Sequence, residues 1–301
     1  MGRKNTVLKI VFLLPALLCF VFLFAYPIIR TVLMSFYKVS TINDDISQWT
    51  FAGLENFSTL IHSFLFKQSM LNMFKIWIIG GIITIGFALI FAVILTSGVR
   101  FKSFWRSLIY MPNIISAVAF ASMWIHYVFN SSFGLLKNFF LALHLNALAA
   151  IQWTSPDYIF PSMLISFCFG ATGYFMLILL AGIERIPGDL YEFAHMEGAG
   201  VVRCFFSITL PLIRDVFRTC LMLWSISAIN FFVWAQMFSV NGDPETEVPA
   251  LYMYNMIFGS SNGNTATNVG AGAAVGVILT LLVTVTYAIL NLVLPNKKYE
   301  Y

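Results

Sequence analysis

Charge is what this sequence is short of. Only 10% of its 301 residues are Asp, Glu, Lys or Arg, against about 25% in soluble domains. Hydrophobic residues make up 59%, and the mean hydropathy is +0.85. Water cannot solvate such a chain as a globule. The dipeptide Gly-Lys of a P-loop occurs nowhere, which excludes ATP hydrolysis at a Walker-type site, and no H-E-x-x-H suggests metal-assisted hydrolysis. The four cysteines, Cys19, Cys168, Cys204 and Cys220, form no C-x-x-C pair and sit in or beside apolar runs. Neither a disulfide framework nor a metal site is expected from them. His62, His126, His144 and His195 are scattered and read as surface or interfacial residues. No segment alternates as a membrane β-strand would.

What is present is a set of long charge-free runs, and about 20 apolar residues suffice to cross a bilayer as a helix. Six are read, at Ile10–Ile29, Ile76–Val99, Ser107–Phe129, Tyr158–Ile183, Thr219–Asn241 and Val269–Pro295. A backbone in hydrocarbon must satisfy its own hydrogen bonds, so the runs are helices, and the fold class is an all-α membrane bundle in one domain over 1–301. The first run exceeds a signal-peptide h-region and no clean small-x-small site follows it, so it reads as a span.

The distribution of Lys and Arg sets the orientation. With the N-terminus inside, the inner segments hold twelve (Arg3, Lys4, Lys9, Arg100, Lys102, Arg106, Arg185, Arg203, Arg214, Arg218, Lys297 and Lys298). The outer positions hold five: Arg30, Lys38, Lys67, Lys75 and Lys137. Both termini are therefore expected in the cytoplasm. The net charge of +4 follows from this bias and does not argue for nucleic acid.

Short helices are expected in the outer segments after FAGLENF (Phe51–Phe57), around GLLKN (Gly134–Asn138) and over Ala250–Phe258. Pro112 should kink or cap the third span. The segment between spans four and five, 184–215, is a polar-edged excursion. Pro187-Gly188-Asp189 reads as a turn, with Asp189 as N-cap of a helix from Leu190 and Glu192 at the capping-box offset. Gly198 can end that helix in a left-handed conformation, a second short helix runs through Phe205–Ile208, and Pro211 marks entry to the next span. Spacing alone leaves two readings open, a helix–Gly–helix elbow with a partner or an interfacial loop in which Glu192 is only a cap.

The order of residues from Glu192 to Pro211 resembles the coupling loop of ABC importer permeases, EAAxxDGAxxxxxFxxIxLP. Glu192, Ala194, Gly198, Ala199, Phe205, Ile208, Leu210 and Pro211 match it; Phe193 stands for an Ala and Glu197 for the Asp. With FAGLENF, the Met111-Pro112 opening, GLLKN, IPGDLYEFA and YMYNMIF in order along the chain, the sequence is similar to the carbohydrate-uptake branch of that family. The resemblance implies a type I permease fold, a second homologous permease, a cytoplasmic ATPase dimer and an extracytoplasmic solute-binding protein. This chain would itself bind no cofactor, ATP with Mg being held by the ATPases. Residues 189–211 would couple to an ATPase, with Glu192 meeting a basic group, Ala194, Gly198 and Ala199 allowing close approach, and Glu197, Leu210 and Pro211 belonging to the same coupling surface. The membrane would be a bacterial cytoplasmic one.

Polar groups at lipid depth usually face the interior of a bundle. Ser227, Asn230 and Trp234 are spaced by three and four, one face of a continuous helix, and a sugar needs such hydroxyl partners and a flat apolar surface. Phe169 and Tyr174 flank Gly170-Ala171-Thr172-Gly173, which permits close packing or local unwinding. These five residues are the expected substrate pathway, with helix–helix packing by polar glue as the other reading. A secondary transporter or channel for a small neutral solute is the alternative, but none of the six runs carries an internal carboxylate to couple ions.

Overall fold

The structure, a computed structural model, describes residues 2–239, 243–259 and 267–295, of residues 2–10 the backbone only. Lys297, Lys298, Asn241 at the expected end of span five, and Ser260–Ala266 in the last outer loop lie outside the described residues. The chain divides into two compact units, 1–67 with 252–281 and 68–251 with 282–301.

Among the described residues four helices are long and apolar enough to cross a membrane: Val11–Met34, Phe64–Thr96, Pro156–Ile183 and Val269–Val293. Two broken pairs raise the number to six if each counts as one span. Lys102–Ile114 meets Ala117–Val128 at 96°, and Arg214–Ile229 meets Phe232–Phe238 at 43°. The structure therefore corrects three expected runs. The second helix starts at Phe64, twelve residues before Ile76, carrying Lys67 and Lys75. The third run is broken at Ile115-Ser116, where the Ser116 hydroxyl accepts the Ala119 N–H at 3.3 Å and starts a new helix. The fifth breaks at Asn230.

In the smaller unit, FAGLENF turns at Gly53 (φ +55°) into the helix Glu55–His62. Buried Asn56 holds the chain on either side of this turn, donating to the carbonyls of Ser35 and Tyr37 at 2.9 Å each. A two-residue ladder, Tyr37–Lys38 with Thr50–Phe51, and the Lys38–Glu55 ion pair at 2.7 Å close the same loop. Asp44 accepts from the Thr41 hydroxyl and the Ser40 and Thr41 N–H groups, which lowers its pKa.

The larger unit is built around Pro156–Ile183, and the core gathers on it. Three of its glycines admit a neighbour: Gly170 the ring of Phe120, Gly173 the backbone of Ile109 and Tyr110, and Gly182 the side chain of Val216. The Gly170–Gly173 patch thus serves close packing, and the helix runs through it unbroken. A second interlock joins the Phe64–Thr96 helix to Arg214–Ile229. Trp224 lies over Gly80 and Gly81 and donates to the Trp77 carbonyl at 2.8 Å, while the Trp77 indole donates to the Ser225 hydroxyl at 2.9 Å.

Asn72 is fully buried, and its amide nitrogen lies 3.0–3.1 Å from the carbonyls of Pro244, Glu245 and Glu247, tying their loop to the helix. Asn72→Leu leaves those carbonyls with one donor group fewer, and a buried acceptor without its partner costs about 1–3 kcal/mol. Chemical unfolding in detergent should register a loss of that size, and unchanged stability would show that water replaces the amide.

Candidate coupling site

The elbow begins where Pro187, with no side-chain cap bond, hands over to a helix Gly188–Met196. This corrects the expected cap: Asp189 lies inside the first turn, one residue past the start. Pro187 offers no N–H, and the helix starts at Gly188, so the Asp189 carboxylate lies in the first turn, at the positive end of the dipole, without capping it, while Glu192 lies past that turn. The helix ends as expected at Gly198, whose φ is +75°. Gly198 N–H reaches the His195 carbonyl at 3.0 Å and Ala199 N–H the Ala194 carbonyl at 2.9 Å, the paired bonds of a Schellman motif. Glu197 is its C-cap. The ring of His195 lies back along the turn, Nδ1 at 3.1 Å from the Ala199 carbonyl.

A helical run Val201–Leu212 follows, four residues longer at its start than the expected Phe205–Ile208. Leu210 and Pro211 lie in its last turn. One bond braces the two arms: the Tyr191 hydroxyl lies 2.9 Å from that of buried Thr209. A second ties the approach to the elbow, with Lys102 and Glu184 paired at 2.6 Å. Neither pair was found from sequence, since 18 and 82 residues separate the partners. Glu192, Glu197 and Gly198 are exposed, while Ala194 and Ala199 are partly covered. The tip also presents two large apolar side chains, Phe193 at 63% and Met196 at 73% exposure.

Ser227, Asn230 and Trp234, expected on one face of a continuous helix, are parted by the break at Asn230. Ser227 and Asn230 are exposed, but the break at Asn230 turns the chain, and Trp234 is buried against Phe120, Phe167 and Phe238. Ser227 spends its hydroxyl on the Leu223 carbonyl at 3.0 Å. Phe169 and Tyr174 are exposed rings on the central helix, and Phe169 is backed by Phe120 and Trp124. Both breaks meet this helix: Asn113, beside the first, reaches toward the Gly170 carbonyl at 3.5 Å, and Phe231, beside the second, packs edge-on against Phe167 at 4.7 Å. Irregular backbone at membrane depth is tolerated where protein or a water-filled cavity covers it.

Comparison with known proteins places this arrangement. Residues 84–299 match the family described as binding-protein-dependent transport system inner membrane component. The diacetylchitobiose uptake system permease protein of Streptomyces coelicolor is 27% identical over 257 residues, 81% of this chain and 71% of its own. The arabinooligosaccharides transport system permease protein of Halalkalibacterium halodurans is 27% identical over 287 residues, 94% of this chain and 86% of its own. In three dimensions the chain superposes with a TM-score of 0.80 on a chain of a bacterial ABC transporter involved in the import of the acidic polysaccharide alginate. The two are 20% identical, and 96% of each is covered. That likeness shows the fold, a type I importer permease.

Proposed function

Since this chain belongs to the binding-protein-dependent transport system inner membrane component family, a multi-pass membrane permease, we propose that it forms half of the pathway of an ATP-driven importer for a sugar or oligosaccharide. Driving force enters at the elbow, 188–212. The observation that carries this reading is the contrast within the elbow. Its internal geometry is fixed by the Schellman end and the Tyr191–Thr209 bond, yet its tip leaves Phe193 and Met196 mostly exposed. A loop that is only solvated needs neither the bracing nor the apolar tip. A docking surface needs both, and large exposed apolar groups mark such surfaces.

Glu192 and Glu197 would meet basic groups of a cytoplasmic ATPase dimer, and Ala194, Gly198 and Ala199 would let its groove come close. Leu210 and Pro211 join this surface to the next span. The chain performs no chemistry of its own: ATP with Mg is bound and hydrolysed on the ATPases, a second homologous permease supplies the other half of the pathway, and an extracytoplasmic binding protein delivers cargo. Both termini then lie in the cytoplasm, by the Lys and Arg bias of the loops.

The cargo reading draws on the sugars named for the relatives and on the side chains near the two breaks. Exposed Phe169 and Tyr174 offer flat surfaces, and Asn230 with Ser227 offers polar groups at the second break. No Lys or Arg lies within the middle of these helices to favour a phosphorylated solute. The alternative of an ion-coupled carrier has no intramembrane carboxylate to work with.

The test is ATPase stimulation by loaded binding protein in the purified complex in lipid, wild type against Gly198→Asp. A side chain at φ +75° costs about 1–2 kcal/mol and puts a carboxylate between Glu197 and the docking groove. Stimulation should fall at least about tenfold, the equivalent of 1.4 kcal/mol, with the complex still assembled. Full stimulation in the variant would return the elbow to an ordinary loop.

A further inference from the structure

Beneath the elbow lies a pocket of about 410 Å³, lined by Thr96, Ser97, Lys102, Glu184, Tyr191 and His195 among others. Beside it an apolar groove of about 460 Å³ runs along the second long helix from Gly86 through Leu89, Ile90 and Val93 to Ile94, roofed by Val202 and Phe206. The two are contiguous, for Val93, Val201 and Phe205 line both. A chamber that carries polar groups, opening into an apolar trough, is the shape of an amphiphile, with its head under the elbow and its tail toward the middle of the bilayer. From Gly86 to Ile94 the trough covers about 12 Å of helix.

The charges select the head. Lys102 and Glu184 stand side by side, and both side chains remain more than a third exposed, at 37% and 42%. An ammonium has three donors and a carboxylate about four lone-pair sites, so each retains capacity beyond their mutual bond. A purely anionic head would meet Glu184 at close range. A head with a phosphate and a primary ammonium matches both, phosphate to Lys102 and ammonium to Glu184, with the hydroxyl of Tyr191 and the His195 ring nearby. We infer that the pocket and trough together bind one aminophospholipid of the leaflet on the elbow's side, with phosphoethanolamine under the elbow and an acyl chain along Gly86–Ile94. The site requires only that the chain spans a membrane, so an importer that kept its ATPase response in Gly198→Asp would leave it standing.

Gly86 supplies the variant, because it lines the trough and a Cβ there meets nothing within 4 Å, so a side chain can be added at the trough's wall. The complex, exchanged into detergent with equal phosphatidylethanolamine, phosphatidylcholine and phosphatidylglycerol, is weighed by native mass spectrometry. One phosphatidylethanolamine should be retained per copy of this chain at about tenfold excess over either competitor, since charge-assisted pairs discriminate on that scale. Gly86→Leu should lose the adduct, and Glu184→Gln should lose the preference over phosphatidylglycerol while keeping a lipid. Equal retention of all three lipids by wild type, or an undiminished adduct in Gly86→Leu, overturns the assignment. If Gly86→Leu fails to accumulate, the three-lipid competition on wild type and Glu184→Gln decides it.

Discussion

Gly173→Val should leave little folded protein. A Cβ at this position would run into the Ile109 carbonyl and the Tyr110 Cα, backbone atoms that no rotamer change can remove. The Lys102–Ile114 helix would have to move off the central helix, taking with it the Lys102–Glu184 pair at one end and the Asn113–Gly170 contact at the other. Overpacking of a well-filled interior costs typically 1–3 kcal/mol and sometimes more, and a contact between two backbones belongs at the upper end. Yield of monodisperse protein and its unfolding midpoint in detergent are the measurements. Gly276→Ala is the control: a Cβ there makes only ordinary contact, 3.5 Å to the Met253 sulfur and 3.8 Å to a Thr31 methyl. If Gly173→Val and Gly276→Ala unfold alike, the helices are not held at the separation described.

Trp224→Ala should cost about 3–5 kcal/mol, the range for deleting a buried large aromatic. The ring is 1% exposed, lies on Gly80 and Gly81, and packs against Phe167 at 5.5 Å and Phe175 at 5.9 Å. Trp224→Phe isolates the hydrogen bond to the Trp77 carbonyl, with an expected loss of about 1 kcal/mol plus the volume difference. A double-mutant cycle makes the argument specific. Alone, Gly81→Ala is expected to destabilise, because its Cβ would approach the Trp224 indole nitrogen to 2.7 Å. In the Trp224→Ala background the same change should be neutral or favourable, a non-additivity expected of residues in contact. Additive effects would mean that the ring does not press on the glycine.

These two interlocks could not be read from the sequence, although the helices they join could. A charge-free run reports that a stretch can sit in hydrocarbon; it carries no information on direction. The apolar pattern continues through Ile114-Ile115-Ser116-Ala117 and through Ile229-Asn230-Phe231, so both breaks passed as uninterrupted spans. Lys67 and Lys75 hid the start of the second helix for the opposite reason, since that helix extends past the apolar stretch. In the elbow Gly198 was legible because a left-handed helix end narrows the choice of residue to one or two types. The N-cap was not, because Pro187 and Asp189 compete for it only two residues apart. The Tyr191–Thr209 brace and the dispersal of Ser227, Asn230 and Trp234 depend on how helices turn after a break, which periodicity presumes constant.

The wide π turn Ile76–Gly80 has a consequence for how such chains vary in length. It stands between two anchors on one helix, Asn72 on its upstream side and the Gly80-Gly81 seat of Trp224 at its downstream edge. An α-helix advances about 100° per residue, and the wide turn holds one residue in excess without rotating one anchor against the other. Deleting one residue from 76 to 80 would let the turn tighten to ordinary pitch with both anchors still facing their partners. A deletion in an ordinary turn of the same helix has no such slack and would swing one anchor about a quarter turn away. Between Asn72 and Gly81 the helix should therefore tolerate the loss of a residue best within this turn.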